Sequence, residues 1–239
     1  MATHIEYTPS SSPSGVQQTI SFWIKRSKLG TDQAIFEARQ NGSNLSAIKF
    51  NTSDQIQIYS ENSGSTNVLV KPNRRFRDVN AWYHIVYALD GNNSTQGDRV
   101  RLYVNGVRET SFSSETYPSQ GTGFYIGASG DSMDIGRRTD GSAYSDTKLL
   151  MSHYHIIDGT AYNADTFGST DATTGEWKIN TNPNVQYGSK GFFILKDGNS
   201  VTDQSGNSNN CTVGGGALTK TEDCPSNVFA TMNPLNASL

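Results

Sequence analysis

Apolar side chains recur at every second position along most of this chain. In TISFWIK, Ile20, Phe22 and Ile24 share one face of an extended segment, and SAIKF and QIQIY repeat the spacing. A period of two is the period of a β-strand with one buried face. Further short segments of strand type are RVRLYV, FYIG, MDIG, LLMSHYHII, GFFIL and CTV. The pattern therefore predicts an all-β protein.

Turn-forming residues separate these segments. Asn105-Gly106 follows RVRLYV and predicts a type I′ turn, in which both central residues take positive φ. NTSD, between SAIKF and QIQIY, predicts a second hairpin. Helix signals are few, and only NADTFG, residues 163–168, offers an N-cap followed by a helical turn. Many short strands joined by such turns favour an antiparallel β-sandwich of jelly-roll type.

No linker of biased composition interrupts the strands, so we interpret residues 1–239 as a single β-sandwich domain. Segment 168–189 is the least patterned stretch and is predicted to be a long loop anchored by Trp177. Segment 190–239 is predicted to supply C-terminal strands that complete or cap the sandwich. The alternative is that it begins a second domain that is cut short, which would leave exposed strand edges behind.

The stretch AWYHIVYALDG, residues 81–91, is apolar on both faces of the predicted strand. Such a strand lies inside a sheet whose outer side is also covered or forms a binding surface. His84 has no Ser, Cys or carboxylate partner at the spacing of a known catalytic motif. We therefore interpret His84 as a buried imidazole with satisfied hydrogen bonds and not as a catalytic base.

The charge and cysteine content of the chain limit which partners and which cellular compartment are expected. The chain has 19 Lys plus Arg against 22 Asp plus Glu, a net charge of −3, which argues against a nucleic-acid partner. No stretch is apolar enough for a secretory signal or a membrane span, so we expect assembly in the cytoplasm without membrane insertion. Cys211 and Cys224 are too few for a disulfide framework, and reduced thiols are the favoured interpretation, with pairing left open.

Two motifs at a fixed separation carry a family resemblance. WYHI, residues 82–85, followed by a Gly/Asn loop and LYVNG, residues 102–106, resembles the laminin-G and pentraxin branch of the concanavalin A-like lectin/glucanase superfamily. The segments RFRDVNAWYHIVYALD, RVRLYVNGVRETSF, IGRRTDGSAYSD and DQSGNSNNCTV look like laminin-G-like domains in virion appendage proteins of tailed, notably marine, bacteriophages. This similarity runs from about residue 7 to residue 235.

The resemblance implies a non-enzymatic phage protein of a tail fibre, an appendage or a capsid decoration. Its expected location is the virion, and its expected partners are other virion proteins, further copies of itself and a host-surface carbohydrate. The alternatives are a purely structural virion subunit that binds no glycan and, less favoured, a glycan depolymerase.

Retaining glucanases of this superfamily carry closely spaced carboxylates on one strand face. The seven glutamates here are scattered and form no Glu-x-Asp-x-Glu run, and Asp131 and Asp134 in GDSMDIG are spaced to lie on opposite faces of a strand. We therefore expect no catalytic residues and no enzymatic activity.

Metal ligands are equally hard to recognise in the sequence. His153 and His155 fall on one side of a predicted strand, a geometry compatible with zinc, but no third ligand accompanies them. No cofactor is therefore predicted. Calcium stays open, because pentraxin-like proteins hold it with loop carboxylates and carbonyls. No spacing singles out the acidic candidates, which are Asp90, Asp98, Asp131 and Asp134.

Carbohydrate binding needs flat aromatic faces beside planar hydrogen-bonding side chains. The segment IGRRTDGSAYSD places several such residues in one hairpin flanked by loops. The predicted carbohydrate-binding residues are Arg137, Arg138, Asp140 and Tyr144, with Trp177 and Tyr117 as further aromatic candidates. The competing interpretation is that the aromatic residues pack under loops and that the arginines form surface ion pairs.

Overall fold

The computed structural model describes residues 3–12, 15–124, 126–139, 149–196, 198 and 200–226. That part of the chain contains sixteen strands and two short 3-10 turns, at Gln96–Asp98 and Ala164–Thr166. None of its helical segments has the length and apolar character needed to cross a bilayer. The strands are β1 His4–Tyr7, β2 Gln17–Arg26, β3 Gln33–Asn41, β4 Asn44–Phe50, β5 Ile56–Asn62, β6 Ser65–Pro72, β7 Tyr83–Asp90, β8 Val100–Val104, β9 Val107–Arg108, β10 Phe112–Thr116, β11 Ser132–Ile135, β12 Leu149–Asp158, β13 Gly168–Thr170, β14 Trp177–Ile179, β15 Phe192–Ile194 and β16 Thr212–Gly214.

The strands form two stacked antiparallel sheets and one small hairpin. The eight-stranded sheet has the order β10-β6-β5-β4-β3-β11-β1-β16, and the six-stranded sheet has the order β15-β12-β2-β7-β8-β9. Within the described residues, strands β13 and β14 pair with each other and with no third strand. This architecture confirms the predicted all-β antiparallel sandwich of jelly-roll type.

The core between the two sheets is built from the alternate side chains that the sequence pattern selects. Ile20, Phe22 and Ile24 of β2 all point into it and are fully buried. The same holds for Ile48 and Phe50 of β4 and for the matching positions of β5 and β8. The period-two prediction of the buried face is therefore confirmed for these strands.

Both predicted hairpins form. Asn105 and Gly106 have φ values of 48° and 80°, as a type I′ turn requires, and the turn connects β8 to β9. A Cβ atom at Gly106 would stand 2.3 Å from the Trp177 ring, so this close approach also requires glycine. The pairing of β4 with β5 confirms the second hairpin.

One local prediction is wrong, and another holds only in part. Phe124 and Ile126 of the FYIG segment are buried in the core but lie outside any strand. NADTFG does form a 3-10 turn, but the Asn163 side chain does not cap it, because its Oδ1 accepts hydrogen bonds from Arg101 and Tyr103 instead. In both places contacts from distant segments override the local signal.

The outer face of the six-stranded sheet is covered by the segment that follows β12, which we call the cover segment (residues 159–189). Ala164 and Phe167 of this segment are buried against Val86 of β7 and Tyr103 of β8. This contact confirms that β7 is covered on both faces. The cover segment also contains the β13–β14 hairpin, so the predicted long loop is more ordered than its sequence suggests.

The C-terminal part of the chain contributes one edge strand to each large sheet. Strand β15 pairs with β12, and β16 pairs with β1. The turn between them is held by Asp203, whose Oδ1 accepts hydrogen bonds from the backbone N–H groups of Phe193 and Ser205. The same carboxylate accepts from Asn209 through Oδ2, so its oxygens serve as turn acceptors.

The buried hydroxyl group of Tyr154 leads to a first prediction about the stability of the core. Tyr154 is fully buried, and its hydroxyl has no hydrogen-bond partner within the described residues. Burying an unsatisfied hydroxyl costs roughly 1–3 kcal/mol, so Tyr154→Phe is expected to raise the free energy of unfolding by about 1 kcal/mol in urea titrations. Tyr187→Phe is the matched control. It removes a hydroxyl 2.9 Å from His155 Nδ1 and should lower stability, and a loss for both variants would contradict the prediction.

Candidate functional site

Three carboxylates stand side by side on the outer face of the eight-stranded sheet. Glu6 of β1 is directly opposite Asp134 of β11, and Asp134 is directly opposite Glu37 of β3. Their strand neighbours, such as Ile5, Ile135 and Phe36, point into the core, so alternation turns the three acids outward. We call these three residues the carboxylate row.

Three arginines neutralise the carboxylate row. Arg137 donates to Asp134 Oδ2 through Nε at 3.0 Å and Nη2 at 2.7 Å, and Nη2 also lies 3.1 Å from Glu6 Oε1. Arg39 Nε donates to Glu37 Oε1 at 2.7 Å, and Arg138 Nε lies 3.5 Å from Glu37 Oε2. The row is therefore an ion-pair network and not a set of unpaired acids.

Two of the carboxylates are more deeply buried than the arginines that pair with them. The Asp134 and Glu37 side chains are 0% and 1% exposed, whereas Arg137 and Arg138 keep 16% and 22% of their side-chain surface accessible. The buried carboxylates thus hold two guanidinium groups that reach the surface, Arg137 through two hydrogen bonds and Arg138 through an ion-pair contact. A guanidinium held in this way presents its remaining N–H donors in a fixed planar geometry.

The aromatic ring of Tyr59 lies on the same row of directly opposed residues as Glu37. Glu37 is opposite Ala47 of β4, and Ala47 is opposite Tyr59 of β5. Burial raises the pKa of Tyr59 to about 12, and the nearby Glu37 carboxylate adds to the shift, so the hydroxyl stays protonated. The face therefore combines oriented arginine donors with a phenol ring, which are the two elements of a sugar-binding surface.

The same face contains a grouping of metal-ligand type. One ligand atom from each of His4, Glu6 and Asp134 can lie within 4.8 Å of the others. Arg137, however, already bonds to both carboxylates, and His4 Nε2 lies 2.6 Å from Glu6 Oε1. The donors are engaged with one another, so this arrangement does not fit a divalent ion without displacement of the guanidinium.

The calcium candidates of the sequence do not converge with this grouping. Asp90 accepts a hydrogen bond from Gln17, and Asp98 pairs with Arg108 at 2.7 Å. Asp131 accepts a hydrogen bond from the backbone N–H of Ala128. Only Asp134 belongs to the carboxylate row.

The structure brings Arg137 and Arg138 together on one face, but it separates them from the other described candidates. Asp140 and Tyr144 lie outside the described residues. Trp177 packs on the outer face of the opposite sheet, and Tyr117 follows the edge strand β10, where its hydroxyl donates to Glu115. Five strand spacings, roughly 24 Å, separate β10 from β11.

Trp177 has a structural partner in His84. Trp177 Nε1 donates to His84 Nδ1 at 3.0 Å, and Ser21 Oγ lies 2.9 Å from His84 Nε2. The imidazole is stacked between Trp23 and Trp177, with ring centroids 4.9 Å and 5.9 Å away. His84 is thus a buried imidazole with both nitrogens hydrogen-bonded, as its sequence context indicated.

His155 is buried in the same layer. Its ring stacks on Phe193 with centroids 3.9 Å apart, and Tyr187 lies within hydrogen-bond distance of Nδ1. Burial lowers the pKa values of His84 and His155, the former to about 3, with the nearby His153 adding to both shifts. Both imidazoles are therefore neutral near neutral pH and act in packing.

The sequence interpretation missed Glu6, Glu37, Arg39 and Tyr59 as parts of a site. These residues lie on β1, β3 and β5, far apart along the chain, and meet only through sheet registry. The one signal they carry is a charged residue at the outward position of an otherwise apolar strand, as in HIEY and IFEAR. That signal predicts that each side chain points out of the core, but it does not predict that these side chains lie next to one another.

Comparison with known proteins agrees with this architecture. The Laminin_G_3 family model, described as concanavalin A-like lectin/glucanases superfamily, matches residues 2–146. No curated protein sequence matches the chain. Among solved structures, the native heptameric SAP-like pentraxin of Limulus polyphemus has a TM-score of 0.52 at 18% identity, over 82% of this chain and 87% of that chain.

Two further solved structures match the chain at lower similarity. Domains LG4-5 of the mouse laminin alpha1 chain match 82% of this chain and 45% of that chain, with 9% identity and a TM-score of 0.47. The carbohydrate-binding module CBM66 of Bacillus subtilis matches 63% of this chain and 78% of that chain, with 11% identity and a TM-score of 0.36.

Proposed function

Because the chain belongs to the concanavalin A-like lectin/glucanase superfamily, we propose that it is a non-enzymatic phage virion protein that binds a host-surface carbohydrate. The binding surface is the outer face of the eight-stranded sheet around Arg137 and Arg138. The protein would be part of a tail fibre, an appendage or a capsid decoration, assembled with other virion proteins and with further copies of itself.

The observation that carries the binding proposal is the pairing of two surface arginines with buried carboxylates. Asp134 and Glu37 are almost completely buried and hold Arg137 and Arg138 at the surface of the sheet. Sugar hydroxyls and carboxylates are good acceptors for such fixed guanidinium donors. Tyr59, in line with the carboxylate row, adds a ring face for the apolar side of a pyranose.

The virion part of the proposal depends on the sequence resemblance to phage appendage domains, above all in IGRRTDGSAYSD and DQSGNSNNCTV. Its test is the position of the chain in an electron-microscopy reconstruction of the intact particle. A face buried between subunits in that reconstruction could not also bind a host glycan, which would favour a purely structural subunit.

Glycan hydrolysis is the second candidate, and the carboxylate row is the observation that favours it. Directly opposed residues on neighbouring strands stand about 4.5–5.5 Å apart at Cβ, close to the roughly 5–5.5 Å between the carboxyl groups of retaining glycosidases. Against it, Glu37 and Asp134 are buried and paired with arginines. Incubation with host polysaccharide followed by product analysis distinguishes the two functions.

The binding proposal predicts that Arg138→Ala reduces retention on a glycan array. Removing a charge-assisted hydrogen-bond donor should weaken binding by about tenfold or more, which corresponds to at least 1.4 kcal/mol. Arg137→Lys is the companion variant, because it keeps the positive charge near Asp134 but loses the two N–H donors that meet on Asp134 Oδ2.

Arg108→Ala is the matched control, since Arg108 is an exposed arginine on the edge of the six-stranded sheet that pairs only weakly with Asp98. It should bind like the unmodified chain. Equal loss in all three variants, or retention unchanged by Arg138→Ala, would contradict the assignment of this face.

A further inference from the structure

A second concave site lies outside the carboxylate row. A cavity of about 640 Å³ opens between the first half of β12 and the C-terminal segment 217–226. That volume is within the range of small-molecule sites. Its walls include apolar side chains such as Leu149 and Leu218, and also the hydroxyl and thiol groups of Ser152, Ser226 and Cys224.

The thiol and hydroxyl groups in this cavity form a chain of contacts that ends on an imidazole. Cys224 Sγ lies 3.4 Å from Ser152 Oγ and 3.1 Å from Ser226 Oγ. Ser152 Oγ lies 2.7 Å from His153 Nδ1. One arrangement of protons satisfies all three contacts: the thiol donates to Ser152, Ser152 donates to His153, and Ser226 donates to the sulfur.

The backbone at this point departs from regular strand geometry. The pairing of β12 with β2 shifts register between Ser152 and His155, and His153 has a φ of 48°. A β-bulge re-aims a side chain that would otherwise follow the strand alternation, and left-handed backbone at a non-glycine residue is strained. This bulge places the His153 ring beside Ser152 instead of on the opposite face.

We propose that Cys224 is a reactive thiol that exchanges with small disulfides entering this cavity. The thiol proton passes to Ser152 while the Ser152 proton passes to His153, and the resulting thiolate is stabilised by the two serine hydroxyls. The thiolate attacks one sulfur of the disulfide, whose S–S bond breaks as the Cys224 mixed disulfide forms. The released thiolate takes the proton from His153 and leaves as a thiol, so Cys224 is oxidised and the departing half is reduced.

Cys211 provides an internal comparison within the same chain. It is also a free thiol, but it is only 5% exposed, and burial raises its pKa to about 12. A buried thiol with a raised pKa carries little thiolate and should stay unmodified in the folded protein. Modification should therefore be confined to Cys224.

The test measures the exchange rate of Cys224 with 2-hydroxyethyl disulfide at about pH 6, by intact mass, in a Cys211→Ser background. General-base assistance should make the folded thiol react about tenfold or more faster than the same thiol in the urea-unfolded chain. Ser152→Ala and His153→Asn should remove that advantage, so that the folded thiol reacts at about the rate of the unfolded chain.

Thr219→Ala is the matched control, because Thr219 lines the cavity without belonging to the Cys224 chain of contacts. It should react at the unmodified rate. The proposal is overturned if folded Cys224 reacts no faster than the unfolded chain, a comparison that needs no variant to fold. It is also overturned if a folded Ser152→Ala variant keeps the full exchange rate.

Discussion

Replacement of Asp54 by alanine is expected to lower the free energy of unfolding by about 3–5 kcal/mol, because it leaves a buried guanidinium without its counter-ion. Arg26 of β2 is 0% exposed, and its Nη1 donates to Asp54 Oδ1 at 3.1 Å. The same nitrogen donates to the backbone carbonyl of Phe76 at 2.7 Å, and the guanidinium lies 4.3 Å above the Phe50 ring.

Asp54 is also the acceptor that ties two loops together. Its Oδ1 accepts from the Gly30 N–H at 2.8 Å, and its Oδ2 accepts from Arg77 at 3.1 Å. Burial alone raises the pKa of Asp54, but the hydrogen bonds from Gly30, Arg77 and Arg26 outweigh it and lower the pKa overall. The carboxylate is therefore stabilised in its charged form, and this stability is lost as the pH falls through the lowered pKa.

The measurement is urea unfolding, with Asp32→Ala as the matched control. Asp32 accepts from Lys49 at 3.1 Å in a partly exposed pair, whose loss should cost less than about 1 kcal/mol. Adding Arg26→Met to Asp54→Ala should recover part of the loss, because it removes the guanidinium that Asp54→Ala leaves unpaired. Similar midpoints for Asp54→Ala and Asp32→Ala would refute the argument.

Acidification is the second large effect expected, and it acts through His84. Its folded pKa is lowered to about 3, whereas an unfolded histidine titrates near 6.5. Below about pH 6.5 the unfolded chain binds a proton that the folded chain does not, so the free energy of unfolding falls as the pH falls towards 3. Between about pH 7.5 and pH 5 the loss from His84 should be about 2 kcal/mol.

Protonation of His84 destabilises the folded state because it breaks a hydrogen bond of the buried ring. His84 Nδ1 accepts from the Trp177 indole, and a protonated imidazole has no lone pair left to accept that bond. His155, with a pKa lowered by burial, adds a change of the same sign. Both rings lie beneath the cover segment, so acid should weaken the attachment of that segment along with overall stability.

Urea titrations at several pH values between about 7.5 and 5 measure the slope. His84→Gln should be less stable than the unmodified chain near neutrality, but its stability should depend less on pH, because one titrating group is gone. Working above about pH 5 keeps carboxylate titration out of the comparison. An unchanged slope in His84→Gln would show that other groups cause the acid sensitivity.

Local features of the sequence were sufficient to predict the strands and their buried faces. Ile20, Phe22 and Ile24 alternate because every second side chain of a strand points to the same side, and this holds whichever strand lies next to it. Asn105-Gly106 defines its turn for a similar reason, since few other residue pairs adopt two positive φ values in succession. Both features depend only on neighbouring residues.

The candidate site was decided by tertiary structure. Arg137 and Arg138 were predicted from their hairpin. Their partners Glu6 and Glu37, however, lie on strands that are at least about a hundred positions away in the sequence. Trp177, a further aromatic candidate, lies on the outer face of the other sheet, where it donates a hydrogen bond to His84. Which outward side chains meet depends on strand order and register, and these are set by the packing of the whole core rather than by any local stretch of chain.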